Sequence, residues 1–228
     1  MKILIIDTET TGLDPESAQV IEVAGILYDV KLRGVIAQCS FLCPAQENPA
    51  MHVNRIRPEL SREAPSLYPA MMDVFYRMAR FADYALAHNA AFDKKWFTES
   101  QGLFPLDLKW ICSMEDIRWP RNSKKGKPSV VSLALDYGVP VWSAHRALTD
   151  CTYLVEVMRR EKQMLQLIEE AFEPADVYIS LLGYEDRQHC KDAGFEWDRL
   201  VKGKWAKRLR KREADAIPFK IRKVQVQS

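Results

Sequence analysis

The sequence predicts an α/β fold, a mixed sheet covered by helices, followed by a small basic α+β module. Three observations lead there. The chain opens on an apolar run, Ile3-Leu4-Ile5-Ile6, that stops abruptly at Asp7-Thr8-Glu9-Thr10-Thr11-Gly12. A continuous run without alternation marks a strand buried on both faces. Further short apolar runs are interleaved with segments of helical periodicity, as in a sheet with helical cover. Charge is also uneven. Residues 177–228 hold 13 Lys/Arg against 7 Asp/Glu, leaving 20 against 24 for residues 1–176. A basic piece behind an acidic body points to a polyanionic partner.

Bulk properties narrow the class. The 228 residues suit one domain of about 150 to 180 residues with an appendage. A hydrophobic content of 47% and a charged content of 28% are ordinary for a soluble protein. No run approaches the ~18 apolar residues of a membrane span, so no membrane partner is expected. A strand at the very start leaves no room for a signal peptide. Cys39, Cys43, Cys112, Cys151 and Cys190 are odd in number and lack a Cys-x-x-Cys. That pattern suggests reduced thiols and a cytoplasmic setting. Cys39 and Cys43 can share a strand face, but without a nearby Cys/His pair they do not read as a zinc site.

After the first strand, Val20–Val30 and Val35–Leu42 flank the charged turn Lys31-Leu32-Arg33-Gly34 and read as an antiparallel hairpin. Pro44, Pro49 and Pro58 mark a loop. From Ser66, the spacing of Leu67, Met71, Val74, Phe75, Met78 and Phe81 predicts an amphipathic helix. Tyr84–His88 reads as a second buried strand, followed by a turn and a helix running through Phe97 to Ser100. Asp93 would then lie in that helix's first turn, where an anion is favoured. Residues 109–119 read as a short strand and a helix start, and Arg121–Lys127 as a basic loop. Val130–Tyr137 reads as a short helix stopped by Gly138. After Ser143-Ala144-His145, a long amphipathic helix is predicted through Leu154, Val157, Met158, Leu165 and Ile168, with Asp150 near its start.

Side chains alternate along a strand, so Asp7 and Glu9 share a face. Two carboxylates about 4 Å apart repel by roughly 4 kcal/mol at an effective dielectric near 20. Adding Asp93 and Asp150, with no Lys or Arg paired to them, makes a site that needs divalent cations. Hard oxygen ligands select Mg²⁺ or Mn²⁺, and two such ions suit phosphodiester hydrolysis. His145 suits proton removal from the attacking water.

The segments Asp7-Thr8-Glu9-Thr10-Thr11-Gly12-Leu13, His88-Asn89-Ala90-Ala91-Phe92-Asp93 and His145-Arg146-Ala147-Leu148-Thr149-Asp150 resemble, in order, the three motifs of the DEDDh exonucleases. Trp110-Ile111-Cys112-Ser113-Met114 and the extension to Cys151 make the chain most similar to the exonuclease X branch. The resemblance covers roughly residues 1–170. It implies a ribonuclease-H-like fold and 3′→5′ release of nucleoside monophosphates. It also implies that Asp7 bridges two Mg²⁺ (or Mn²⁺) ions, Glu9 and Asp150 complete one site, and Asp93 holds the second ion. His145 would be the general base; Thr10, Leu13 and Asn89 would meet the terminal nucleotide. The implied partner is a single-stranded or frayed 3′ end of DNA, with RNA as the alternative, and a replication or repair protein as a further candidate. A non-catalytic nucleic-acid adaptor is the reading from another class.

The domains are expected at 1–173, 174–210 and a basic tail at 211–228. Residues 174–210 read as a small βαβ-like or ββα unit. Phe195, Trp197 and Trp205 are expected to form its core, with Lys191, Lys202, Lys204, Lys207 and Arg208 around them for binding. Gln163–Ile168 resembles a sliding-clamp peptide but lies within helical periodicity.

Overall fold

The structure is a computed structural model that describes residues 1–63, 66–122 and 127–225. Two compact units emerge. The first comprises residues 1–121 and 128–171, and the second residues 122–127 and 172–228. Of the basic loop expected at Arg121–Lys127, residues 123–126 lie outside the described residues.

In the first unit, β1 (Lys2–Thr10), β2 (Val20–Asp29) and β3 (Gly34–Leu42) form an antiparallel meander. The short helix α1 (Met51–Asn54) lies within the stretch expected to be loop, and α2 (Pro58–Arg62) starts where that stretch ends. The long helix α3 (Leu67–Phe81) leads to β4 (Tyr84–Ala87), then to α4 (Ala90–Lys94) and β5 (Lys109–Cys112). Strands β4 and β5 add in parallel, giving the order β3-β2-β1-β4-β5. Helices α5 (Val130–Asp136), α6 (Ala147–Arg160) and α7 (Met164–Ala171) complete the unit.

Central position explains the apolar run of β1. Ile3, Leu4, Ile5 and Ile6 are each 0% exposed. Leu4 and Ile6 face a cluster built on Phe75, Met78 and Trp96. Ile3 and Ile5 therefore face the other way, where Cys151 of α6 lies 3.7 Å from the Ile5 carbonyl. Asp7 and Glu9 continue that second parity, so the strand delivers both carboxylates toward the start of α6.

Several boundaries differ from expectation. The helix expected through Ile168 breaks after Arg160, because Glu161 turns extended at ψ 117°. Its buried carboxylate accepts the Tyr137 hydroxyl at 2.6 Å and the Gln163 amide at 2.8 Å. Those bonds hold Glu161 where a solvent-facing helical residue would otherwise sit. Met164, Leu167 and Ile168 of α7 are buried, so the clamp-like segment is core. Helix α3 turns Phe75, Met78 and Ala79 inward but leaves Leu67 and Phe81 exposed. Helix α4 ends at Lys94, and a 3-10 turn at Glu99–Gln101 follows in place of continued helix.

The second unit contains β6 (Ala175–Ser180), α8 (Arg187–Asp192), β7 (Glu196–Trp197), β8 (Trp205–Arg210), α9 (Lys211–Asp215) and β9 (Ile221–Val224). Its four strands are antiparallel in the order β7-β8-β6-β9, not βαβ-like. Within the basic tail expected at 211–228, where the alternation of Ile217–Val226 allows a frayed strand or a partner-binding segment, residues 221–224 form a strand beside β6. Ile217, Phe219 and Ile221 pack on the core of Cys190, Phe195 and Leu209, so this unit needs the segment to close its core. Phe195 is buried and Trp205 packs against that core, but Trp197 is 55% exposed and does not join the predicted core.

Phe75 fills the space that Gly25 leaves open. A Cβ on Gly25 would stand 2.9 Å from Phe75 Cε2 and 3.2 Å from Leu4 Cδ1. Phe75 is itself held by a stacked contact with Phe97 at 5.8 Å. Gly25→Ala is expected to cost about 1–3 kcal/mol by overpacking. Urea unfolding followed by circular dichroism would show it; an unchanged midpoint would mean that Phe75 relaxes freely.

Candidate active site

The end of β1 and the start of α6 bring three carboxylates together. One oxygen each from Asp7, Glu9 and Asp150 lies within 4.8 Å of the others. Asp150 reaches the group because it sits in the first turn of α6. Asp93, in the first turn of α4, is only 2% exposed. Its Oδ1 accepts the Thr8 amide at 3.0 Å and the Thr8 hydroxyl at 2.8 Å. These bonds tether α4 to β1, and Asp93 acts electrostatically on Asp7 without joining the three-oxygen group.

The other predicted residues surround this group. His145 is exposed with a left-handed φ of 62°, and its charge and backbone act on Asp150. Thr10 is buried and donates its hydroxyl to the Gly12 carbonyl at 2.6 Å. Leu13 is 79% exposed at the end of the same loop. The Lys95 ammonium holds the Leu13 carbonyl. Asn89 caps α4 in a left-handed conformation, φ 79°, and is exposed. Its neighbour His88 is a strut. Nε2 donates to the Pro128 carbonyl at 2.8 Å, which leaves Nδ1 to accept the Ser113 hydroxyl at 2.8 Å in the neutral ring. Burial lowers the His88 pKa, consistent with that neutral form.

A fifth acid escaped the sequence reading. Glu22 of β2 lies opposite Glu9 in the antiparallel register and is 2% exposed. Arg146 grips it with both arms, at 3.0 and 2.8 Å. The Ala147 amide, at the start of α6, donates to it at 3.0 Å, and Ser40 at 3.2 Å. Arg146 is paired to Glu22 and not to Asp7, Glu9, Asp93 or Asp150, although its charge also acts on Glu9. Arg146 neutralises Glu22 and fixes the chain between His145 and Asp150. The available signal was a lone glutamate inside the otherwise apolar run Val20-Ile21-Glu22-Val23-Ala24, since an unpaired buried charge is too costly to stand.

Burial and mutual repulsion push the group toward protonation. Asp7 is driven well above the usual carboxylate range by burial, then by Asp93, Glu9 and Asp150. Burial and Glu22 raise Glu9 to about 8, and Arg146 only partly opposes them. Burial raises Asp93 to about 7 despite its Thr8 bonds. Asp150 is raised to about 6 by burial, with His145 pulling the other way. Its buried Oδ1 has no hydrogen-bond partner. Clustered, desolvated oxygens with an unsatisfied acceptor among them fit a hard divalent cation.

The exonuclease family model, RNase_T, matches residues 4–158. A second model, a domain of unknown function (DUF8626), matches residues 177–224. The DNA polymerase III subunit epsilon of Treponema pallidum (strain Nichols) is 30% identical over 159 residues, covering 66% of this chain and 72% of that protein. Among solved structures, exonuclease X in complex with 5′ overhanging duplex DNA aligns with a TM-score of 0.52 at 23% identity, covering 74% of this chain and 99% of that one. The nuclease domain of 3′hExo, a DEDDh family member bound to rAMP, gives 0.54 at 18% identity, over 72% of this chain and 92% of that one. The chain belongs to this exonuclease family.

Proposed function

We propose that the protein hydrolyses DNA from its 3′ end to nucleoside 5′-monophosphates, using two Mg²⁺ or Mn²⁺ ions. The convergence of Asp7, Glu9 and Asp150 within 4.8 Å carries this reading. Asp7, Glu9 and Asp150 would hold one ion, and Asp93, beside Asp7, would help to hold the other. Bound there, such ions supply a water acidified near neutral pH and a counter-charge for the leaving oxygen. His145, on the exposed loop before α6, would take a proton from the attacking water. Arg146, locked to Glu22, sets where that loop lies. Leu13 packs on the terminal base, and Thr10 and Asn89 position its sugar and phosphate. The epsilon-subunit relative supports a role in replication or repair beside a polymerase, and five free thiols support a cytoplasmic setting. Parallel DNA and RNA oligonucleotides of one sequence separate this reading from an RNA-trimming one.

On a 3′-degradable, 5′-labelled oligonucleotide, wild-type protein with Mg²⁺ is expected to give a ladder that EDTA abolishes and Asp7→Ala lacks. Undiminished cleavage by Asp7→Ala would remove the site assignment. His145→Ala is expected to lower kcat by roughly 10²–10⁴ with the metal requirement retained; a wild-type rate would mean another base.

The raised carboxylates also set a pH dependence. Their folded pKa values, about 6 for Asp150, 7 for Asp93 and 8 for Glu9, exceed the roughly 4 of an unfolded carboxylate. The folded chain therefore binds more protons than the unfolded one between about pH 4 and 8, and stability falls as pH rises through that window. In EDTA, Tm is expected to drop from pH 5.5 to 8, by less in Asp7→Asn than in wild type. Mn²⁺ is expected to restore more of it at pH 8 than at 5.5. Equal pH responses of the two proteins would refute the linkage.

A further inference from the structure

The second unit holds an aromatic surface that its own core leaves outside. Trp197 and Trp205 oppose each other across β7 and β8, with ring centroids 5.6 Å apart and planes 59° apart. Trp205 leans onto the core of Cys190, Phe195 and Leu209, whereas Trp197 is 55% exposed. A unit this small has little apolar surface to spare, and a half-wet indole is surface that a partner can cover. Tyr184 is exposed as well, but the Arg187 guanidinium sits 4.1 Å over its ring, which occupies one face.

The turn joining the two tryptophans is built, not frayed. Asp198 and Gly203 take left-handed φ values of 60° and 66°. The Asp198 amide donates to the Lys204 carbonyl at 3.0 Å, and the Asp198 carboxylate accepts the Gly203 amide. This holds Lys202 and Lys204 in solvent within the same turn as Trp197. Nearby acid is already spent: Glu196 pairs with Arg199 at 3.0 Å and with Lys127 at 3.8 Å. The tip therefore presents a fixed indole with net positive charge around it, on a segment that is itself basic.

We propose that this hairpin tip binds single-stranded nucleic acid, with Trp197 stacking on an unpaired base and Lys202 and Lys204 meeting the flanking phosphates. Stacking accepts any base because every base has a π-face, so the contact is blind to sequence. Paired bases are closed to it. A fixed indole loses little freedom on binding, which favours such a platform over a mobile side chain. The contact uses none of the carboxylates of the first unit, so it stands or falls apart from the catalytic reading.

The test is fluorescence anisotropy of full-length protein in EDTA, where binding is read without hydrolysis. The probes are a labelled oligo-dT, an oligo-rU of equal length and a blunt DNA duplex. Trp197→Ala is expected to weaken oligo-dT binding roughly 5- to 150-fold while leaving the duplex affinity unchanged. The Lys202→Gln/Lys204→Gln double variant is expected to lower the slope of log affinity against log salt on oligo-dT by about 1.4, from the lost release of two counterions. The oligo-rU arm identifies the polymer: loss on both strands assigns a surface open to either, and loss on DNA alone assigns a DNA surface. Unchanged oligo-dT binding by Trp197→Ala, an equal loss on duplex, or an unaltered salt slope in the double variant would overturn the proposal.

Discussion

Repulsion among buried carboxylates is the constraint to which the first unit answers. Asp7 and Glu9 stand at the end of the central strand, and Asp150 arrives from the start of α6. Desolvation and like charge both favour the neutral form, which is why the pKa values climb to about 6, 7 and 8 for Asp150, Asp93 and Glu9. The fold can tolerate the cluster either protonated or charge-compensated. A divalent cation would give the second condition at neutral pH.

Much of the surrounding structure keeps that cluster in place. Thr8 grips Asp93 and so fixes α4 against β1. Glu22, Arg146 and the Ala147 amide form a second clamp on the opposite side of Glu9. An arginine–glutamate pair with only the Glu22 side buried is weak evidence for stability by itself. Here it fixes the approach loop that carries His145, whose positive φ needs such support. Stability and geometry are thus separate tasks, and the clamp serves the second.

The central strand, the hairpin, the long helix over Phe75 and the second short strand were legible because burial imposes a periodicity that side chains must obey. Asp7, Glu9 and Asp150, which the fold brings together, were picked out because three short segments resembled one family in order, and Asp93 and His145 were proposed on the same resemblance. Glu22 was not, since a single acid in an apolar run gives no indication of its partner 124 residues away. The break at Glu161 was hidden for the same reason: it depends on the distant Tyr137 hydroxyl. In the second unit, the alternation of apolar and basic residues over 217–226 left a strand and a partner-binding segment equally open, and the pairing of β9 with β6 decides for the strand. Local pattern reads burial well, and it cannot see a contact between residues far apart along the chain.

Isothermal titration of Mn²⁺ into the protein at pH 7, repeated in buffers of different ionisation enthalpy, tests the central claim most directly. If the cluster waits in a partly protonated state, metal binding must expel protons, and the observed heat must vary with the buffer by at least one proton per protein. Heats independent of the buffer would mean that the carboxylates are already ionised without metal, and the account of a site held together by charge compensation would fail.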